Sequence, residues 1–219
     1  MQRLQRGFTL IEVLVVVSIL AVLMGLISIL VLKSRGEKDK MLTTQLVQSY
    51  LPNTIERYKQ EIKKLPPMTM GELSANKRWE GLTIGNGTNE CNECLLVALR
   101  HPDLSARLGE GDLPTENPFG NTDDDIWNMV PDGSDAVEAR EIIDSWGNPV
   151  VYISKNFYGQ PVKIMTASGE EVDVMAVQKP NGTYYNQDTY QIISLGPNGV
   201  QDEDPDLGDD IENFKRVKE

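Results

Sequence analysis

The chain has 219 residues with 21 basic and 33 acidic side chains, one histidine and two cysteines, for a net charge of −12. So acidic a chain repels phosphates, which excludes nucleic acid as an expected partner. One histidine leaves a single candidate base for a Ser–His or Cys–His pairing. With no G-x-S-x-G, no Gly-rich phosphate loop and no histidine-rich metal set, no catalytic residues are assigned and the chain is not read as an enzyme.

The chain opens MQRLQRG and then runs FTLIEVLVVVSILAVLMGLISILVL. From Phe8 to Leu32 there are 25 residues, about 37 Å of helix at ~1.5 Å per residue, enough to cross a hydrocarbon core of about 30 Å. A secretory signal peptide has a shorter apolar region of about 7–15 residues and a small-x-small cleavage site; here Lys33-Ser34-Arg35 follows instead. Thr9, Ser18 and Ser28 can bond back to helix carbonyls. Arg3 and Arg6 favour a cytoplasmic N-terminus, a bias weakened by Lys33, Arg35, Lys38 and Lys40 beyond the span. Glu12 is the one acid inside the run, and a carboxylate in hydrocarbon asks for a functional reason.

The segment RG-FTLIEVLVVVSILAVL resembles the class III leader and N-terminal helix of type IV pilins and pseudopilins. The resemblance implies that a prepilin peptidase cuts after Gly7 and that Phe8 becomes the methylated N-terminal residue. It also implies that Glu12, then at the fifth mature position, neutralises the N-terminal amine of a neighbouring subunit. An ammonium and a carboxylate are each costly alone in lipid and tolerable when paired. The chain then divides into a leader (1–7), a transmembrane helix (8–32), a helical stalk (33–64) and a head (65–219).

Lys33 to Lys64 carries eight basic and four acidic residues, whereas Leu65 onward carries 11 basic and 28 acidic ones. Leu51, Ile55, Tyr58, Ile62 and Leu65 fall at helical spacings on one face, extended by Leu42, Leu46 and Tyr50. Pro52 predicts a kink, Gly36 a second weak point, and the helix is expected to end near Lys64, ahead of Pro66-Pro67. Further helices are expected at Cys94 to Arg100 and near Asp135 to Ile143, where Asp135 and Glu138 form a capping-box pattern. Strand signals follow at 150–153, 162–165, 172–177 and 190–194, separated by turns at Tyr158-Gly159-Gln160, Ser168-Gly169 and Pro180-Asn181-Gly182. The fold class is α+β: a long N-terminal helix, membrane-spanning in its first half, packed on a small antiparallel β-sheet in the pilin manner.

Cys91 and Cys94 form C-x-x-C, which outside the cytoplasm means a local disulfide or two free thiols; zinc would need a second ligand pair. His101 is read as a surface residue, Asp123-Asp124-Asp125 as a surface loop, and Asn86-Gly87-Thr88 and Asn181-Gly182-Thr183 as turns. Asp144-Ser145-Trp146-Gly147-Asn148-Pro149 reads as a tight turn before a strand, with Gly147 and Asn148 at unusual backbone angles and Trp146 over the sheet. This run resembles the D-x-W-G-N-P signature of type II secretion major pseudopilins. Ser194-Leu195-Gly196-Pro197-Asn198-Gly199, with the acids up to Asp209-Asp210-Ile211, resembles their calcium-binding S-L-G-x-D-G loop and D-D-I tail. Oxygen-rich, glycine-hinged chain of this kind suits Ca²⁺, which takes about 6–8 oxygen ligands. The resemblance implies ligation by the carbonyls of Leu195 and Val200 and by Asn198, Asp206, Asp209 and Asp210, with Asn198 standing where the pattern has Asp.

The resemblance implies an inner-membrane, single-pass subunit with its head periplasmic. It would assemble with itself and other pseudopilins, served by the prepilin peptidase and an inner-membrane secretion platform. The alternatives are a type IV or competence pilin, which usually relies on a C-terminal disulfide loop, and a non-assembling, membrane-tethered calcium-binding domain.

Overall fold

A computed structural model describes residues 10–75, 86–100, 104–105, 107–123, 126–127, 137–203 and 208–216. The chain divides into two compact units, 1–39 and 40–219. In the first, helix α1 (Leu10–Gln45) begins, and its apolar side chains from Leu10 to Ile27 are exposed on every face. Such a helix finds no core within its own unit and is long and apolar enough to cross a membrane. Ser18 and Ser28 donate to the carbonyls of Leu14 and Met24 at 2.8 and 2.9 Å, so neither hydroxyl is left bare. Thr9 lies outside the described residues. Gly36 does not interrupt the helix, because nothing approaches it and one glycine costs only about 1 kcal/mol.

Proline does leave its mark, though not as a simple kink. Pro52 has no N–H, and its ring would strike the carbonyl of Gln48 in a regular α-helix. The chain answers with a π turn at Leu46–Tyr50, in which the Leu51 N–H bonds to the Leu46 carbonyl, before α2 (Leu51–Ile62) resumes. The extra residue shifts the helix register. The buried face therefore runs Leu46, Val47, Leu51, Ile55 and Tyr58, and Tyr50, expected on that face, is 43% exposed. Lys63 in left-handed conformation (φ 64°) closes the helix with its N–H on the Lys59 carbonyl.

The head follows as α3 (Met70–Ser74), capped by Thr69, and α4 (Glu90–Leu99), which starts four residues before the expected Cys94. The helix expected near Asp135 to Ile143 is absent over its described part. Instead β1 (Phe119–Gly120) pairs with β4 (Glu141–Ile142), and β2 (Ile126–Trp127) with β3 (Val137–Glu138); Asp135 lies outside the described residues. Tertiary demand overrode the local capping pattern here: Ala139 and Ile142 are fully buried, and the Ile142 N–H is taken by the Asn92 side chain.

The four sequence-expected strands are β5 (Val151–Ser154), β6 (Val162–Met165), β7 (Glu171–Val174) and β8 (Tyr190–Ser194). β6 and β7 form a hairpin turned at Gly169. β8 is the middle of an antiparallel sheet, with β5 on one side and β9 (Ile211–Glu212) on the other. The π turn packs against β8 and β9, while α4 packs against β4 and β5. All five residues of β8 are buried, as a strand covered on both faces requires.

Asn92 locks α4 to this sheet. Its amide donates to the carbonyls of Ile142 (2.8 Å) and Val150 (2.5 Å) and accepts from the Ile142 N–H (2.6 Å), all out of water. Asn92→Ala strands these groups and is expected to cost about 2–4 kcal/mol, whereas Asn53→Ala on the exposed helix face stays within about 0.5 kcal/mol. Thermal melting of the full chain in detergent measures both.

Candidate functional site

Three regions carry the functional expectations. In the first, Glu12 lies in the first turn of α1, while Gly7 and Phe8 lie outside the described residues.

The second region is the turn from Asp144 to Pro149. Oδ1 of Asp144 accepts from the N–H groups of Trp146 (2.9 Å) and Asn148 (3.0 Å), and its backbone N–H donates to the Asn148 carbonyl. Gly147 takes φ 89°, as the turn requires. Asn148 does not share that unusual backbone: it is buried for its side chain, which donates to the Gly196 carbonyl (2.8 Å) and accepts from the Ala167 N–H (2.9 Å). Trp146 packs half-buried on the core. Oδ2 of Asp144 accepts from the Ser194 hydroxyl at 2.7 Å. The turn thus backs directly onto the third region, the loop from 194 to 211.

In that loop Leu195 is fully buried and anchors the start, whereas Val200 is exposed. Gly196 (φ 63°) has no room for a side chain, since a Cβ would lie 2.5 Å from Oδ1 of Asp209. Asn198 accepts from the Val200 N–H at 2.7 Å, which shapes the bend. Downstream, Oδ2 of Asp202 accepts from the Asp209 N–H (2.7 Å), and Oδ2 of Asp210 accepts from the Asp202 N–H (2.8 Å). These bonds draw the carboxylates of Asp202, Asp209 and Asp210 within 4.8 Å of one another. Of the resemblance-implied ligands, Asp209 and Asp210 therefore converge, while Asp206 lies outside the described residues. Asp202 is one of the acids that the loop offers in sequence but not one of the resemblance-implied ligands, and the fold singles it out.

Burial pushes the carboxyl of Asp210 up to about 7 and outweighs the Asp202 N–H that it accepts. Asp209 is raised too, by burial and then by the Asp202 charge. Oδ1 of Asp209 and Oδ1 of Asp210 are buried with no hydrogen-bond partner among the described residues. Hard, anionic oxygens left over in this way fit a hard divalent cation such as Ca²⁺. A second group of acids, Glu93, Asp123 and Glu141, also lies within 4.8 Å. Asp123 lies half-buried in the bend between β1 and β2, and Asp124 and Asp125 lie outside the described residues.

Cys91 and Cys94 are free, buried thiols one turn apart on α4; no disulfide joins them. Cys91 faces the main core, while Cys94 packs with Leu73 and Ala139, 3.7 Å from the Met70 sulfur. Burial pushes Cys91 up to about 12 and raises Cys94 as well, so both stay protonated and inert. His101 lies outside the described residues. Both sequon-like triplets are turns, with φ 78° at Gly87 and φ 80° at Gly182.

Residues 2–28 match the family model of the prokaryotic N-terminal methylation motif. No curated protein and no solved structure matches the chain. The motif supports a type IV pilin-like or pseudopilin class, whose members are membrane-anchored structural subunits processed by a prepilin peptidase and assembled with other subunits.

Asp144 supplies a pH test. Burial, offset in part by the Ser194 hydroxyl and the turn N–H groups, raises its carboxyl from 3.8 to about 6. The folded state then holds this proton more tightly than the unfolded chain. Its contribution to stability is full below about pH 4, falls as pH rises to about 6, and levels off above. The loss is at most about 3 kcal/mol. Asp144→Asn keeps the shape and is expected to flatten that window when melting is followed against pH.

Proposed function

We propose that this chain is a structural subunit of a type II secretion pseudopilus. One observation carries the choice of system: the two pieces that resemble major pseudopilins are bonded to each other. Asn148 of the D-x-W-G-N-P turn donates to Gly196 of the loop, and Ser194 of the loop donates to Asp144 of the turn. A turn kept only to reverse the chain needs neither bond. The adhesion or competence pilin is disfavoured because both cysteines lie in α4, well before the C-terminal region where that class closes its disulfide loop.

In this reading the chain enters the inner membrane through its N-terminal helix and is cut between Gly7 and Phe8. Glu12 then draws the free amine of an adjacent subunit into the bilayer, where neither charge is tolerable alone. Successive additions lengthen a fibre that pushes secreted protein outward. Asp202, Asp209 and Asp210 would hold Ca²⁺, joined on the resemblance by Asn198, Asp206 and the carbonyls of Leu195 and Val200. The cation would supply the positive charge that three facing carboxylates lack; Asp144 and Asn148 hold the loop from behind.

Coexpression with a secretion platform and prepilin peptidase tests the assembly role. Glu12→Ala is expected to insert and to yield a mature chain starting at methylated Phe8, yet to form fibres at least about tenfold less abundantly. Normal fibres from this variant would overturn the pairing role, and an intact Met1 in the wild-type chain would overturn the pilin-like reading. For the loop, chelation of calcium is expected to speed proteolysis between residues 195 and 211 several-fold, without loss of the core. Equal cleavage with and without chelator would remove calcium from the account.

A further inference from the structure

The acidic loop holds a cation of its own. Arg216 reaches back from the C-terminal segment with only 11% of its side chain exposed. Its Nε and Nη2 grip the carboxylate of Glu212, itself 7% exposed, at 2.9 and 2.5 Å. Nη2 also lies 3.6 Å from Oδ2 of Asp210, whose side chain is 5% exposed. Nη1 donates to the carbonyls of Asp202 (3.0 Å) and Glu203 (3.2 Å). The grip is anchored, because the Glu212 carbonyl accepts from Gln48 on the π turn, and Glu212 lies in β9, paired to β8.

We propose that Arg216 is the positioning residue of the cation loop. Its guanidinium neutralises Glu212, occupies the Oδ2 side of Asp210 and ties down two loop carbonyls. Oδ1 of Asp210, together with Asp202 and Asp209, is thereby left as the oxygen set for a divalent cation. The inference rests on the calcium reading only for that last step; the brace acts whether or not a cation binds. Five donors in a planar fork serve four acceptors here, which an ammonium cannot reproduce. Arg216 therefore orders the loop before any cation arrives, and without it loop order would depend on the cation.

The test is limited proteolysis of the full chain in detergent, with cut sites mapped by mass spectrometry, in chelator and in calcium. In chelator, Arg216→Gln is expected to be cut between residues 195 and 211 about tenfold faster than wild type, as cleavage tracks the open population. Calcium is expected to restore most of the protection, and Arg216→Lys should fall between the two. A wild-type rate for Arg216→Gln in chelator overturns the proposal, and full rescue by Arg216→Lys overturns the role of the fork. Should Arg216→Gln be cut throughout the head, the Glu212→Gln/Arg216→Gln double variant removes the stranded carboxylate. Loop-confined cleavage of that variant supports the proposal, and wild-type protection overturns it. If calcium slows cleavage of neither chain while their difference in chelator persists, Arg216 keeps its role and the calcium reading fails.

Discussion

The head depends on one constraint: its buried backbone must be hydrogen-bonded, yet its strands run only two to five residues. Four buried amide side chains make up the shortfall. Asn89 accepts from the Met165 N–H and donates to Thr122 and Glu141; Asn92 pairs with Ile142 and Val150. Asn148 joins Ala167 to Gly196, and Gln191 pairs with both the N–H and the carbonyl of Val177 while donating to Tyr185. An amide offers a donor and an acceptor in the geometry of a peptide group and carries no charge to desolvate. Each of these side chains acts as a short extra piece of strand.

The same lattice explains how the head tolerates buried acids. Glu141 and Asp144 are both raised by burial, and both are held by N–H or hydroxyl donors rather than by a cation. Around the loop the balance differs. Asp210 and Glu212 reach Arg216, and Asp202 and Asp209 gather beside Asp210, so one guanidinium stands against a group of four carboxylates. The first two acids are structural parts of a neutral network. The loop is a site whose carboxylates outnumber the one guanidinium beside them.

What the sequence disclosed follows the range of each signal. The apolar run, the four longer strands and their glycine turns are local patterns, and the strands begin within a residue of their expected starts, although the strand expected over 172–177 already ends at Val174. Pro52 was legible as a disturbance, but its form was not: the π turn rotates Tyr50 outward and seats Val47 and Leu51 in its place. The helix expected near Asp135 failed because a local capping pattern says nothing of Asn92, 50 residues away from the Ile142 N–H that it claims. At the candidate site, Asp209 and Asp210 could be named from a motif. Asp202 and Arg216 could not, since only the pairing of β9 with β8 folds the two ends of the loop together.

The π turn also answers a problem of register. In its apolar stretch the helix is hydrophobic all round, as lipid demands, and no face is preferred. From Leu46 onward the same chain must show one apolar side to β8 and β9. Without the π turn, the four-residue step from Leu46 would aim Tyr50 at the core and swing Leu51 away from it. Inserting one residue ahead of Pro52 moves Leu51, Ile55 and Tyr58 as a set onto the buried face, and it places the irregular turn where the missing N–H of proline has least to break. Proline and register are thus served by one irregularity, and through it the chain from Leu46 onward meets β8 and β9 with its apolar side.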